Sequence, residues 1–600
     1  MADLIRDAAI GQIIRWATNN RYLQYPEEKA DFKLPDTWND LIEGKTAARH
    51  EQPRPTSTAS TVANNTNNNS SDDETVAEPP LALAHITSRG SGINNITERR
   101  LEADEIHNIE KTLSLPVVPQ KTKDGSILVD WYYTDDAEDP HNWTNGKRAA
   151  IAWVICLYTF VVYTTSAIYT TSTEGIIREF GVSNIEASLG LSLYVLGYGV
   201  GPLIFSPLSE IPRIGRNPVY IITMFLFVIL SIPTAFAPNF AGLMVLRFLQ
   251  GFFGSPCLAS GGASLGDMYS LLALPYAMMS WVSAAYCGPA LGPLLSGFSV
   301  PVKGWRWSLY ESVWASAPVF IVMLLFLPET SSATILLRRA QRLRKLTGND
   351  KFMSQSEIEQ RNQKTSAIIL DALVKPLEIT IKDPAVLFVQ IYSAIIYGIY
   401  YSFFEVFPLV YPVYYHMTLG QIGLVFLCIL ISCLIGIAVY SAYLYFFMNP
   451  RIARFGFPIQ EDRLLPALAA AFGPTIGLFV FAWTAKETIH WIVPTIGITI
   501  YGATVFVVMQ CIFIYVPLSY PQYAASLFAA NDFFRSALAC GSVLFAQPLY
   551  GNLGVARGTS LLGGLSVIGI IGIWLLYIYG GRLRKLSKFA VNDEPVADEQ

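Results

Sequence analysis

The sequence predicts an all-α polytopic membrane protein with twelve transmembrane helices in two six-helix halves. Three observations carry that expectation. The 600 residues are 52% hydrophobic and only 15% charged, with a mean hydropathy of +0.37 even though the first quarter of the chain is polar. Uncharged runs of about twenty residues, the length that crosses a bilayer, recur through the remainder. These runs form two groups of six around a charged segment, the pattern of a duplicated bundle with a central cavity.

The chain opens MADLIRDAAIGQIIRWATNN. Leu4, Ile5, Ala8, Ile13 and Trp16 recur there at helical spacing between charges, which predicts a short amphipathic helix over 3–18, on a membrane surface or within a partly ordered tail. Residues 50–110 are rich in Pro, Ser and Thr and include NNTNNNSSDDE at 64–74, a composition unable to bury a core. Residues 1–147 are therefore read as a largely disordered tail. No cleavable signal peptide is apparent, so the first span acts as its own insertion signal. Spans are expected near 149–171, 185–206, 218–237, 241–261, 275–298 and 309–328, within a first half of 148–328. A second half of 384–580 holds spans near 384–407, 420–442, 464–484, 491–515, 526–548 and 558–580. Between them lies a charged loop, 329–383, and a tail of 581–600 follows.

Positive charge fixes the expected orientation. One side collects Lys147, Arg148, Arg213, Arg216, the cluster Arg338, Arg339, Arg342, Arg344 and Lys345, then Arg451, Arg454, Arg463, Arg582, Arg584, Lys585 and Lys588. The other side receives Arg178, Lys303, Arg306, Lys486 and Arg557. Both termini and the central loop are thus expected in the cytosol. The sequons at Asn64, Asn68, Asn69, Asn95 and Asn142 would then lie on the wrong side for glycosylation.

Several function classes lose support at this stage. A net charge of -4 gives no reason to expect a nucleic-acid partner. The seven cysteines fall inside expected spans without metal-like spacing and read as small apolar packing residues. Six scattered histidines and the lack of a GxxxxGK[ST] loop give no basis for metal catalysis or nucleotide-driven pumping. No enzyme activity, metal or other cofactor is expected.

The chemistry lies in the polar and helix-breaking residues that the apolar runs retain. Residues 286–293, Tyr-Cys-Gly-Pro-Ala-Leu-Gly-Pro, put Gly288, Pro289, Gly292 and Pro293 inside the fifth run. Both residue types weaken an isolated helix, and a membrane tolerates them where neighbours pack closely. They are read as a kinked seam against the other half, sealing a leak path. The hairpin GPLIFSPLSEIPRIGRN at 201–217 carries Glu210, Arg213, Gly215 and Arg216. A carboxylate near a helix end can engage an arginine and the positive N-terminus of the opposite helix. A latch between Glu210 and Arg216 follows, unless the arginines serve topology alone. In the fourth run, LMVLRFLQGFFGSP, Arg247 is costly unless paired or solvated; Gln250 sits one turn on, and snorkelling to the interface is the alternative. Asp267, near Ser264, is a gate contact or a solvated loop acid.

The second half is less sharply signed. Glu405 stands among aromatics in YYSFFEVFPLVYPVYY, where it either binds a proton or meets water. In YPQYAASLFAANDFFRSALA, Asn531, Asp532 and Arg535 share helical spacing, and the last two form an i,i+3 pair. These are the candidate substrate or proton residues, together with Gln250.

Taken together, these motifs resemble the major facilitator superfamily, and within it the twelve-span drug:proton antiporters of fungi. The hairpin is similar to that superfamily's loop signature, with Glu210 where Asp is usual. The span-4 run resembles a signature whose arginine is linked to proton coupling. In such proteins the Gly-Pro element of span 5 marks exporters, although Pro293 stands where many have a second glycine. Residues 520–539 resemble the fungal Tyr-x-x-x-Ala-Ala-Ser…Ala-Asn…Arg-Ser run, but Pro517-Leu518-Ser519 occupies the place of an expected acid. The segments VDWYYTDDAEDPHNWTNGKRA, Pro328-Glu329-Thr330 and LRRAQRLRKLTGN also fit. The N-terminal RDAAIGQIIRWATNNRYLQYPEE is similar to the subgroup linked to benomyl, fluconazole and caffeine resistance. The resemblance implies a major facilitator fold and a monomeric, proton-coupled exporter of small organic compounds at the plasma membrane. Its partners would be those compounds, protons and the lipid bilayer. A proton-linked nutrient or polyamine carrier, or a transporter-like sensor, remains the alternative.

Overall fold

A computed structural model describes residues 2–35, 38–39, 114, 116–117, 119–122, 124–360, 374, 377–455, 459–520, 524–587 and 589–590. Ten helical stretches among these are long and apolar enough to cross a membrane. Leu274–Lys303 is a further helix of 30 residues, diluted in hydropathy by its Gly, Pro and Ser. The stretch Ser526–Leu586 is two helices, divided at Gly554, whose φ of +78° no helix accommodates. Ten stretches, one for Leu274–Lys303 and one for that division give twelve spans.

Span 1 is Asn145–Ala167, prolonged by a 3₁₀ turn and the short helix Thr173–Phe180. Span 2 is Asn184–Glu210, span 3 Arg216–Ala235, and span 4 Phe240–Gly254 followed by Pro256–Gly266. Span 5 is Leu274–Lys303 and span 6 Trp307–Phe326. In the second half, span 7 is Pro384–Tyr415 and span 8 runs from Leu419 through Tyr443. Span 9 comprises Leu465–Ala470 and Phe472–Thr484, and span 10 is Ile492–Ser519. Spans 11 and 12 lie on either side of Gly554. Helices outrun the expected apolar segments, as in span 7, where VFPLVYPVYY continues the helix because aromatic side chains are at home at the membrane boundary.

Small residues set the distances between spans. Span 2 packs on span 4 through Gly197 and Gly251, each backed by the other helix's backbone. Gly569 and Gly572 of span 12 meet the rings of Tyr392 and Phe388 on span 7. Of the most apolar 18 residues, 83% are buried in span 7 and only 28% in span 6, so the first lies at the centre of the bundle and the second at its rim.

One face of the bundle carries a folded cap. It contains α1 (Ala2–Asp7), α2 (Ala9–Ala17), β1 (Ile127–Leu128), α3 (Ser332–Thr347) and β2 (Phe352–Met353). The two strands pair in parallel, Ile127 opposite Phe352. Trp38, Ile127, Val129, Tyr132, Ala340, Leu343 and Phe352 form its small core. The buried Arg339 lies 2.6 Å from Asp136, 3.2 Å from Glu138 and 3.4 Å from Glu27. Arg342 adds contacts of 3.0 Å to Glu27 and 2.9 Å to Glu138. These parts of the first 147 residues, expected as mostly disordered, are thus folded against the central segment. Their charges are neutralised by partners about two hundred residues or more away, which no local composition reveals. Residues 40–113, with the 64–74 patch and four of the sequons, lie outside the described residues; Asn142 donates to the carbonyls of Thr134 and Asp136.

Candidate functional site: a polar seam between the halves

On the cap face, the hairpin between spans 2 and 3 forms a charged junction whose partners differ from those expected. Arg216 donates from Nε to Asp267 Oδ2 at 2.7 Å and from Nη2 to Oδ1 at 3.3 Å, closing spans 3 and 4 together. Glu210 is exposed at the end of span 2, with no hydrogen bond or ion pair to Arg216 among the described residues, and Arg213 is likewise exposed. Glu329, after span 6, accepts from the backbone N–H groups of Arg216 (3.1 Å) and Asn217 (3.3 Å). It therefore caps the positive N-terminus of span 3, the role the sequence offered to Glu210. Gly215 makes this possible. Its φ is +83°, and a Cβ there would collide with the Glu329 carboxylate. Asp267 is thus a junction contact rather than a solvated acid.

Arg247 does not snorkel. It is fully buried and donates to the carbonyls of Gly190 (3.0 Å), Thr165 (3.1 Å) and Ser166 (3.1 Å), and to Gln250 Oε1 (3.2 Å). The rings of Tyr194 and Tyr169 lie 4.4 and 4.8 Å away, so π faces and carbonyl dipoles solvate the charge. Gln250 in turn donates to Ser231 at 2.6 Å. Arg247 thereby ties spans 1, 2 and 4 into one body.

Span 5 presents two stripes of small residues, and of those singled out Gly288 and Gly292 face their own half while Pro293 faces the other. A Cβ at Gly288 would stand 2.7 Å from Tyr163 Cβ and 2.8 Å from the Phe160 carbonyl; one at Gly292 would stand 2.8 Å from Ile168 N. These glycines press span 5 onto span 1. The seam against the other half lies one residue further round the helix, at Pro293 and Gly297. There a Cβ at Gly423 of span 8 would stand 2.8 Å from Leu294 Cα and from the Pro293 carbonyl, and one at Gly297 would stand 2.8 Å from the Leu419 carbonyl. Pro289 and Pro293 are both buried within the continuous helix.

The halves also meet along spans 2, 7 and 11, where polar residues line up. Nearest the cap, Asn531 donates to Gln390 at 2.6 Å. In the middle, Arg535 donates to Asp532 Oδ1 at 2.6 Å and lies over the Tyr397 ring at 4.8 Å. Asp532 is fully buried, and among the described residues its Oδ2 has no hydrogen-bond partner, nor has Ser536 Oγ beside it. Span 2 approaches here because Gly199 has no side chain to meet Ser536. Tyr198 is within 2.7 Å of Tyr397 and 2.9 Å of Tyr401, hydroxyl to hydroxyl. Ser166, whose carbonyl holds Arg247, lies 3.3 Å from the Tyr401 hydroxyl. Toward the far face, Glu405 accepts from Ser188 of span 2 (3.2 Å) and Gln547 of span 11 (3.3 Å).

Asn531, Asp532, Arg535 and Glu405 thus share one seam, to which Arg247 and Gln250 connect through Ser166 and through the Tyr194 ring, which packs edge-on against Tyr198. Tyr198, Tyr397 and Tyr401 went unidentified in the sequence. The signal for the latter two is the i,i+4 stripe Tyr397, Tyr401, Glu405 on span 7. The arrangement offers two carboxylates separated by a relay of hydroxyls and faced by aromatic rings, in a place both halves share.

A family model for the Major Facilitator Superfamily matches residues 155–546. The MFS-type transporter pyvG of Aspergillus violaceofuscus is 49% identical over 473 residues, covering 79% of this chain and 87% of that protein. Fluconazole resistance protein 1 of Saccharomyces cerevisiae is 38% identical over 475 residues, covering 78% and 86%. Among solved structures, the proton:xylose symporter XylE superposes with a TM-score of 0.53 at 14% identity, covering 73% of this chain and 96% of that one, a likeness of fold alone. Twelve spans in two packed halves, a family model across most of them and relatives of this identity over most of the chain lead to one assignment: the chain belongs to the Major Facilitator Superfamily.

Proposed function

We propose that the protein is a proton-coupled exporter that moves small organic toxic compounds out of the cell across the plasma membrane. These are drugs, fungicides or a secondary metabolite of the producing cell. The observation that carries this reading is the buried Asp532–Arg535 pair on the seam of spans 2, 7 and 11, bordered by Tyr163, Tyr198, Tyr397 and Tyr401. A carrier needs a site that both halves grip in turn, and here the halves share hydrogen bonds rather than apolar contact alone. Flat apolar or cationic compounds suit tyrosine faces, which stack on rings and attract positive charge. A relative named for fluconazole resistance supports the same direction of transport.

Asp532 and Glu405 are the residues that carry protons. Asp532 holds Arg535 when ionised and releases it when protonated, so substrate and proton compete for the centre of the seam. Glu405 closes the far face through Ser188 and Gln547. The Arg216–Asp267 pair and Glu329 steady the cap face, which with both termini and the central segment lies in the cytosol. One copy of the chain is the working unit.

The test is drug accumulation in a host stripped of its own exporters. Expression of the wild type lowers cell-associated fluconazole, and Asp532→Asn at equal surface abundance restores the host level. Raised uptake of a nutrient or polyamine, with unchanged drug content, would replace export with import.

A further inference from the structure

The cap leaves one apolar surface uncovered. On α1 and α2, Ile5, Ile13 and Ile14 are exposed, and Trp16 is 83% exposed. The polar faces of these helices are engaged inward. Arg15 donates to Glu28 at 2.7 Å and lies over the Tyr25 ring at 4.5 Å, and Arg6 pairs with Asp7 at 2.9 Å. The helices thus present Ile5, Ile13, Ile14 and Trp16 outward and their cations inward, the reverse of a helix packed on a soluble core.

What covers that surface follows from where α2 is attached. Ala8 forms a backbone bridge with Pro328, two residues beyond the end of span 6. Helix α2 packs against spans 3 and 6, at the rim of the bundle. Both spans expose large apolar side chains outward, Ile222 and Phe225 on span 3 and Ile321 and Phe326 on span 6, a surface that faces lipid in a membrane-spanning protein. The apolar face of α2 therefore continues that belt at the depth where span 6 ends. Tryptophan is enriched at this polar–apolar boundary, and an amphipathic helix lying in the boundary buries its apolar face there.

We propose that α1 and α2 form an in-plane membrane anchor, seating Ile13 and Trp16 among the lipids that surround spans 3 and 6. The anchor holds the cap against the bilayer and, through the contacts of Glu27 with Arg339 and Arg342, ties the central segment to it.

The full chain, reconstituted in phosphatidylcholine nanodiscs that contain a lipid with a diazirine high in its acyl chain, provides the test. After illumination, lipid adducts on the 9–17 peptide should match those on spans 3 and 6 within about three-fold. A water-soluble carbene reagent should label Ile13 and Trp16 about ten-fold less than it labels the exposed Lys351. Ile13→Ser with Trp16→Ser leaves the inward contacts of Arg15 intact and should abolish the lipid adducts on that peptide while those on spans 3 and 6 persist. Strong labelling of Trp16 from water with no lipid adduct overturns the proposal. So does a cross-link that places the helix against a second copy or another protein.

Discussion

Arg216 reaches across from span 3 to Asp267 at the end of span 4, Nε to Oδ2 at 2.7 Å, and makes no hydrogen bond to Glu210 among the described residues. A guanidinium gripping both oxygens of one carboxylate fixes geometry as well as charge. Within this junction Asp267 and Glu329 do the work that the hairpin sequence attributes to Glu210.

Asp267→Asn should therefore impair transport far more than Glu210→Gln. Loss of a charge-assisted hydrogen bond costs about 1.5–3 kcal/mol, so the Asp267 variant should lose about ten-fold in transport rate and the Glu210 variant less than two-fold. Initial efflux rates at matched surface abundance decide it. Equal losses would return Glu210 to the junction.

The two stripes on span 5 should separate folding from transport. Gly288→Val drives a branched side chain into span 1 backbone within the same half, so the purified protein should melt several degrees lower, as overpacking costs about 1–3 kcal/mol. Gly297→Val meets Leu419 of span 8 across the halves; it should retain its melting temperature and lose efflux. A Gly288→Val protein with wild-type melting behaviour contradicts the assigned neighbour.

Arg247 should act by holding the first half together. Arg247→Ala strands three buried carbonyls, each costing about 1–3 kcal/mol when unsatisfied. A large fall in melting temperature is expected, with residual transport that keeps the pH dependence of the wild type. A stable Arg247→Ala protein whose transport no longer responds to pH would make Arg247 a coupling residue instead.

The spans were legible because a bilayer demands long apolar runs whatever their partners. Partners were not. Gly288 and Gly292 stand out on their own, yet only the packed bundle tells which side of span 5 meets span 1 and which meets span 8. Arg247 is conspicuous as a charge in an apolar helix, while the three carbonyls that solvate it belong to ordinary Thr, Ser and Gly residues. Glu329 sits just past span 6 in a loop, with nothing local to link it to an N-terminus more than a hundred residues earlier. The cap was illegible for the same reason. Its acids at 27, 136 and 138 look like solvated tail charges until Arg339 and Arg342 are brought to them.

That clasp should respond to acid in a defined direction. Burial pushes the Asp136 carboxyl up, but Arg339 and the backbone N–H groups of Tyr132 and Glu138 hold it below the usual range. A carboxyl depressed by folding stabilises the fold above its unfolded value, about 4, and the contribution disappears as pH falls through the folded value. Asp136→Asn should thus speed hydrogen exchange of the Ile127 and Val129 amides, which bond to Lys351 and Met353, at pH 7 but not near the acid limit. A difference independent of pH would mean that the charge is not what matters.

Proton coupling through the seam is the claim on which the transport mechanism rests, and sealed vesicles measure it directly. With the purified protein reconstituted and fluconazole present equally on both sides, an imposed pH difference should drive drug opposite to the proton flow, without ATP. An uncoupler should collapse the movement, and Asp532→Asn should abolish it in a protein that still folds. Drug accumulation that ignores the pH difference and begins only on addition of ATP, or an Asp532→Asn protein that still exchanges drug for protons, would contradict this mechanism.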